Sequence, residues 1–226
     1  PSDSNIHTIE DEAFAESSIE EITIPIHLIQ IKAFAFKNCE HLQKVTIPPN
    51  SELEMIDSYA FSRTAIKSFT IPPSPKGIGK SAFANCIDLT KFEIPSNSEL
   101  QTIENNAFYN TNISSLDLPS NLIELEDGWC ENMTKLTKIR VDAKNPYFIT
   151  YDNDNILLKK SSIESDVYDI LAFCVRCIKE VTIPKFIRCI GQSAFDNCTQ
   201  LKSVEIQPDS ELQIIGDNAF SESAIE

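Results

Sequence analysis

Apolar residues return along this chain in a fixed order with a long period. Alignment on the Ala-Phe pairs puts Phe14, Phe36, Phe61, Phe83 and Phe108 in one series, resumed at Phe195 and Phe220, with intervals alternating between 22 and 25 residues. Cys130 continues the series 22 residues after Phe108, with Trp129 in the alanine place. Five positions ahead stands a further apolar residue: Ile9, Ile31, Ile56, Ile78, Ile103, Leu125, Ile190 and Ile215. The recurrence is close enough that SAFANC, residues 81–86, returns as SAFDNC, residues 193–198.

A second pattern, apolar-x-x-apolar-x-apolar and usually then Pro, follows each aromatic. Its copies are Ile19-Ile22-Ile24, Leu42-Val45-Ile47, Ile66-Phe69-Ile71, Leu89-Phe92-Ile94, Ile113-Leu116-Leu118, Leu136-Ile139-Val141, Ile178-Val181-Ile183 and Leu201-Val204-Ile206. The alternation at its end predicts a short strand with one buried face, which proline terminates because it cannot donate to a ladder. The Ala-Phe segment predicts a short helix instead. Asp11, Ser58, Asn105, Asp127 and Asp217 precede the Phe position by three residues, and Ser81 and Ser193 by two, as N-caps do. Asn38, Asn85, Asn132 and Asn197 follow it by two, where a residue tolerant of the left-handed conformation would end the helix.

One such unit cannot bury its own apolar face, but stacked units can, so the period means a solenoid. The expected fold is α/β: a curved solenoid of about eight coils, each a strand plus a short helix, forming one unit over residues 1–226. One stretch departs from the ladder. Val141 to Ile183 takes 42 residues where one coil takes 22 to 25, and the excess falls in residues 145–173. Within it Phe148–Tyr151 and Ile156–Leu158 flank Asp152-Asn153-Asp154-Asn155, which reads as a β-hairpin standing off the sheet.

The string L-x-x-V-x-I-P followed by I-x-x-x-A-F-x-x-C resembles the BspA-like leucine-rich repeats over nearly the whole chain. That resemblance implies a leucine-rich-repeat solenoid from a surface protein of anaerobic bacteria or mucosal protozoa. It further implies a non-catalytic adhesion module, at the cell surface or secreted, that binds a protein or host-matrix ligand. An insert after Asn-Pro is common in such proteins, usually with an Asp-Gly turn; here the glycine is missing. An intracellular scaffold for protein–protein interaction, built on the same repeat, is the alternative.

Charge then narrows the partners. The formal net charge of −15 repels phosphate backbones and anionic lipid, which argues against nucleic acid or membrane binding. No apolar run is long enough to insert in a membrane. The chain begins Pro1-Ser2-Asp3 and stops inside a repeat, which reads as a segment of something longer.

Chemistry-bearing motifs dissolve into the repeat. Gly77-Ile78-Gly79-Lys80-Ser81 imitates a phosphate loop but has Ser74 where the first glycine belongs. Asp152-x-Asp154 lacks the glycine and the bidentate glutamate of a calcium loop. His7, His27 and His41 have no metal-ligand spacing. No catalytic, cofactor or metal residues are therefore assigned, and no small-molecule cofactor is expected. Cys39, Cys86 and Cys198 share one ladder position, and Cys39 and Cys86, two coils apart, lie too far apart to pair. A single bridge among Cys174, Cys177 and Cys189 stays open. Asn112, Asn132 and Asn197 head glycosylation sequons, at a frequency that chance supplies.

Function is expected on the outward residues of the strands, on the concave side. Those positions carry Lys44, Lys67, Lys91, Lys138, Arg140, Lys179 and Lys202 against Glu20, Glu21, Glu93, Asp117, Glu180 and Glu205. The remainder of the chain has 12 basic and 28 acidic residues, so the strand face is a mildly basic stripe on an acidic body. These seven cations, with Tyr147 and Phe148 of the insert, are the candidate protein-binding residues.

Overall fold

The computed structural model describes residues 4–225. It is a stack of nine coils, marked by Ile9, Ile31, Ile56, Ile78, Ile103, Leu125, Leu171, Ile190 and Ile215. This is one more than the eight that the repeat predicts, because the insert hides the coil of Leu171, which stands in register opposite Ile190. The stacked isoleucines belong to two-residue strands that the sequence reading did not foresee. Thr8–Ile9, Gln30–Ile31, Met55–Ile56, Gly77–Ile78, Thr102–Ile103 and Glu124–Leu125 form one six-stranded parallel sheet.

The foreseen strands are present but pair in twos: Glu21–Thr23 with Lys44–Thr46, Ser68–Thr70 with Lys91–Glu93, Ser115–Leu118 with Lys138–Val141, and Glu180–Ile183 with Ser203–Ile206. Within pairs the motifs are 23 residues apart; the unpaired steps Val45 to Phe69 and Phe92 to Leu116 take 24.

The expected helix is absent: no α-helix occurs among the described residues. The Asn residues two past the Phe position are left-handed, as anticipated, with φ of 59° at Asn38 and 62° at Asn85. The residue two before it is left-handed too: Glu12, Phe34, Tyr59, Ser81, Asn106, Gly128, Ser193 and Asn218. Two left-handed residues four apart interrupt any helix, which needs φ near about −60° at each residue. Three overlapping β-turns take its place. In the first coil Ala13 N–H donates to Glu10, Ala15 to Glu12 and Ser17 to Phe14. The first and third turns have their left-handed residue in the third position, as type II turns require.

The turns free alternate amides for a third ladder between coils. Glu12, Phe14 and Glu16 donate to the carbonyls of Ala33, Ala35 and Lys37 at 3.2, 2.8 and 2.9 Å. The pattern repeats from Phe34, Phe36 and Asn38 to Ser58, Ala60 and Ser62. Left-handed residues other than glycine cost energy, and these inter-coil bonds offset it.

Inside the coil the Phe rings stack. Centroids lie 5.1 Å apart for Phe14–Phe36 and Phe36–Phe61, and 5.4 Å for Phe61–Phe83. Phe69 and Phe92 meet the stack edge-on, at 4.8 Å from Phe83 and 4.7 Å from Phe108 respectively. Such pairs add to the burial of the rings themselves. Gly79, part of the phosphate-loop imitation, is a packing residue: a Cβ there would sit 2.7 Å from the Asp57 carbonyl carbon.

The insert is integral to the stack and does not stand off it. Phe148–Tyr151 runs antiparallel to Ile156–Lys159, and that strand antiparallel to Ile170–Cys174, which rejoins the stack parallel to Cys189–Ile190. Phe148, Ile156, Leu157, Leu158, Leu171 and Phe173 are all buried. Asp152, Asn153 and Asp154 supply three left-handed residues at the hairpin tip, so the missing glycine is not needed.

Candidate protein-interaction face

The outward strand residues form three columns whose register the backbone sets. Glu21 lies opposite Lys44, Ser68 opposite Lys91, and Ser115 opposite Lys138. One column thus alternates Lys44, Ser68, Lys91, Ser115, Lys138, with lysines on every second coil, roughly 10 Å apart at the ordinary strand spacing. The neighbouring column runs Thr23, Thr46, Thr70, Glu93, Asp117, Arg140. Lys67, Lys179 and Lys202 stand in the third, and the Lys202 amide donates to the Lys179 carbonyl at 2.8 Å.

All seven cations are exposed, but they are not equally free. Lys91 pairs with Glu93 at 2.7 Å, and Thr70 donates to the same carboxylate at 2.7 Å. The bond from Lys91, then that from Thr70, hold the Glu93 carboxyl below its usual range. Arg140 lies 3.9 Å from Asp117, and Lys67 donates to Gln43 at 3.2 Å. Lys44, Lys138, Lys179 and Lys202 form no ion pair among the described residues.

The insert residues fare differently. Phe148 is 1% exposed and belongs to the core, so it leaves the set of surface contacts. Tyr147 is half-buried and lines a cavity of about 280 Å³ under residues 160–163, together with Phe148, Lys159 and Lys160. The aromatic that the hairpin does present is Tyr151, 40% exposed and edge-on to Phe186.

Two buried polar residues carry the insert, and the sequence reading passed over both. Asn145 donates from Nδ2 to the carbonyls of Pro119 and Leu122 at 2.8 and 2.9 Å, and its Oδ1 accepts the amides of Tyr147 and Phe148. Arg176 lies over the Phe173 ring at 4.6 Å and donates to the carbonyls of Ala194, Ser193 and Cys130. The Asn-Pro step was the one visible signal for Asn145. Arg176 had none, since a lone arginine between cysteines reads as surface.

No helix of the described residues is long and apolar enough to cross a membrane, and they contain no cluster of three or more His, Cys, Asp or Glu side chains able to hold a metal. What the geometry offers is an open, rigid, ridged surface on a repeat scaffold. It is a leucine-rich-repeat solenoid, a class of interaction modules not generally catalytic.

The particular family follows from the repeat itself. A BspA type leucine rich repeat region matches in six copies, over residues 7–137, 54–174 and 170–226, and the chain belongs to that family. No curated protein matches the chain. Among solved structures it is similar to the pneumococcal vaccine antigen PcpA, with 25% identity and a TM-score of 0.85, over 95% of this chain and 53% of that one. A leucine rich cell surface protein from Faecalibacterium prausnitzii shares the fold at 22% identity and a TM-score of 0.73, over 94% of this chain and 61% of that one. A leucine-rich repeat protein from Eubacterium ventriosum does so at 21% identity and a TM-score of 0.64, over 96% and 49%. The chain thus spans about half to three-fifths of the length of these relatives.

Proposed function

We propose that this chain is a non-catalytic adhesion module of a cell-surface protein, and that it binds a protein or host-matrix ligand through the strand face. The observation that carries the reading is the Lys44–Lys91–Lys138 column with Arg140 beside it. It is a register of cations on an otherwise acidic chain, held by backbone ladders that leave little to order on binding. The kinship with a vaccine antigen and a cell surface protein supports the placement at the surface.

The test is capture from host-cell surface and matrix proteins by the wild type and by a Lys44→Glu, Lys91→Glu, Lys138→Glu, Arg140→Glu variant. Reversal is expected to weaken binding and flatten its salt dependence, because exposed charges mainly steer association. A Tyr151→Ala variant at the hairpin provides the comparison. Full binding by the reversed variant together with loss in Tyr151→Ala would move the site to the insert.

A further inference from the structure

Alongside the turn ladder runs a ladder of side-chain amides, and it is broken at one coil. Two residues past the Phe position, each asparagine donates from Nδ2 to the next one toward the N-terminus. Asn197 bonds Asn132 at 3.2 Å, Asn132 bonds Asn110 at 3.1 Å, and Asn110 bonds Asn85 at 2.9 Å. Asn38 makes the corresponding bond to Glu16 at 3.4 Å. Between Asn38 and Asn85 the position is held by Arg63, exposed and left-handed at φ 58°, which has no amide to continue the ladder. Asn38 Oδ1 is buried there without a partner. Asn85, with its Oδ1 on Asn110, turns its Nδ2 toward the break.

A hollow of about 380 Å³ opens beside the break. Its floor is made of short side chains, Ser62, Ser81 and Ala84, each 4% exposed. Lys37 and Tyr109 stand at its two ends, three coil steps or roughly 14 Å apart at the ordinary strand spacing. The Ser62 hydroxyl donates to the Ala84 carbonyl at 3.1 Å, whereas that of Ser81 has no partner among the described residues. Tyr59 forms the wall. One face of its ring stacks on Phe34, with centroids 5.1 Å apart, and the next residue in that column, Ser81, is too short to cover the other. Phe34 and Tyr59 hold φ of 60° and 58° where the later coils place Ser, Asn or Gly. Bulky residues are disfavoured in that conformation, and such strain gathers at functional sites. Lys37 lies over the Phe34 ring at 5.0 Å, and neither it nor Arg63 forms an ion pair among the described residues. Glu40 and Asp88 line the neighbouring hollow on the other side of Arg63, but no acidic side chain of the described residues lines this one.

We propose that this hollow binds a sugar acid, a carboxylate-bearing sugar ring of a glycan. The apolar face of the ring lies on the open face of Tyr59. Its hydroxyls, each both donor and acceptor, meet the Ser81 hydroxyl and Asn85 Nδ2. A hydroxyl seated in the break supplies the donor that Asn38 Oδ1 lacks. The carboxylate goes to Arg63, whose planar fork can give it two parallel N–H bonds, with Lys37 adding a point charge from the end of the hollow. A neutral sugar leaves both cations unmatched, and a bare anion leaves the Tyr59 face uncovered. The site lies on the turn ladder and does not depend on the ligand proposed for the strand face.

The full chain, its backbone amides followed by NMR, is titrated separately with sialyllactose, methyl glucuronide, lactose and inorganic phosphate. At least one of the two acids is expected to shift the amides of Tyr59, Ser81 and Asn85, while lactose and phosphate leave them in place. Arg63→Asn tests the site without risking the fold. It restores an amide between Asn38 and Asn85 and tolerates the left-handed backbone, so the thermal midpoint should not fall. Binding of the acid should nevertheless weaken at least about tenfold, as loss of charge-assisted hydrogen bonds requires. Tyr59→Ser, which places at 59 the residue type that the next coil holds, should weaken binding several-fold. The variant with Lys44, Lys91, Lys138 and Arg140 reversed should bind the acid as the wild type does, so this site and the strand face stand or fall separately. No shift with either acid, equal shifts with lactose or phosphate, or undiminished binding by folded Arg63→Asn or Tyr59→Ser overturns the proposal.

Discussion

Asn145→Ala is the substitution that most directly tests how the insert is held. The side chain is 6% exposed and makes four hydrogen bonds, two to carbonyls of the fifth-to-sixth coil connection and two from the amides that open the hairpin. A neutral hydrogen bond contributes about 1 kcal/mol net, and a buried group left without a partner costs more, so the loss should be roughly 3–5 kcal/mol, less where water enters the gap. Urea unfolding followed by far-UV circular dichroism measures it, and hydrogen exchange at Tyr147 and Phe148 localises it. Asn145→Asp sharpens the test. It keeps the acceptor but turns a carboxylate oxygen toward the Pro119 and Leu122 carbonyls, which raises that carboxyl's pKa in the folded state. The folded chain then binds the proton more tightly than the unfolded one, so the variant loses stability as pH rises through the carboxylate range. A loss below about 1 kcal/mol in Asn145→Ala, or an Asp variant indifferent to pH, would show that the clamp does not hold the insert.

The other expectations concern the repeat itself. Phe83→Ala should cost about 3–5 kcal/mol, because the ring is fully buried among Phe61, Phe69, Phe92 and Phe108; chemical denaturation checks it. Arg63, exposed and left-handed at φ 58°, should be stabilised by replacement with Gly, by about 0.5–1 kcal/mol, and destabilised by Val, a reversal of the usual order that thermal melts would reveal. Cys86, which burial pushes up to about 11, should resist a thiol reagent near neutral pH in the native chain, while exposed Cys177 reacts at once.

The repeat was legible because burial is periodic and side chains report it. Ile56, Phe61 and Phe69 each mark one wall of the same coil, and all are buried as their spacing requires. The helix was misread because N-cap and C-cap residues are chosen for the same backbone freedom that turns need. Asn85 ends a helix or sits in a turn with equal ease, and nothing in Phe34 or Tyr59 announces a left-handed residue. The two-residue strands at Ile31 or Ile78 were too short for an alternation to show. Phe148 was misassigned because an aromatic at the base of a hairpin reads as surface until the partner strand is placed. The cations of the strand face were visible as residues, but their grouping into columns, and the pairing of Lys91 with Glu93, needed the register.

That register separates the scaffold from its use. Strand pairs, the isoleucine sheet and the turn ladder are all backbone bonds, and the core needs only apolar residues at fixed places. None of these constrains positions 44, 68, 91, 115 or 138, whose side chains leave the coil. A chain can therefore share this fold with PcpA at 25% identity and still present a different charge pattern, because the fold conserves where the columns stand and leaves their content open. Ligand identity cannot be carried across such a kinship by shape. It lies in the outward residues, so exchanging the Lys44–Ser68–Lys91–Ser115–Lys138 column between two relatives should transfer ligand preference while both chains keep their stability, since exposed substitutions shift it by only about 0.5 kcal/mol each. Binding that stays with the parent scaffold after such an exchange would mean that the recognition surface lies elsewhere on the coil.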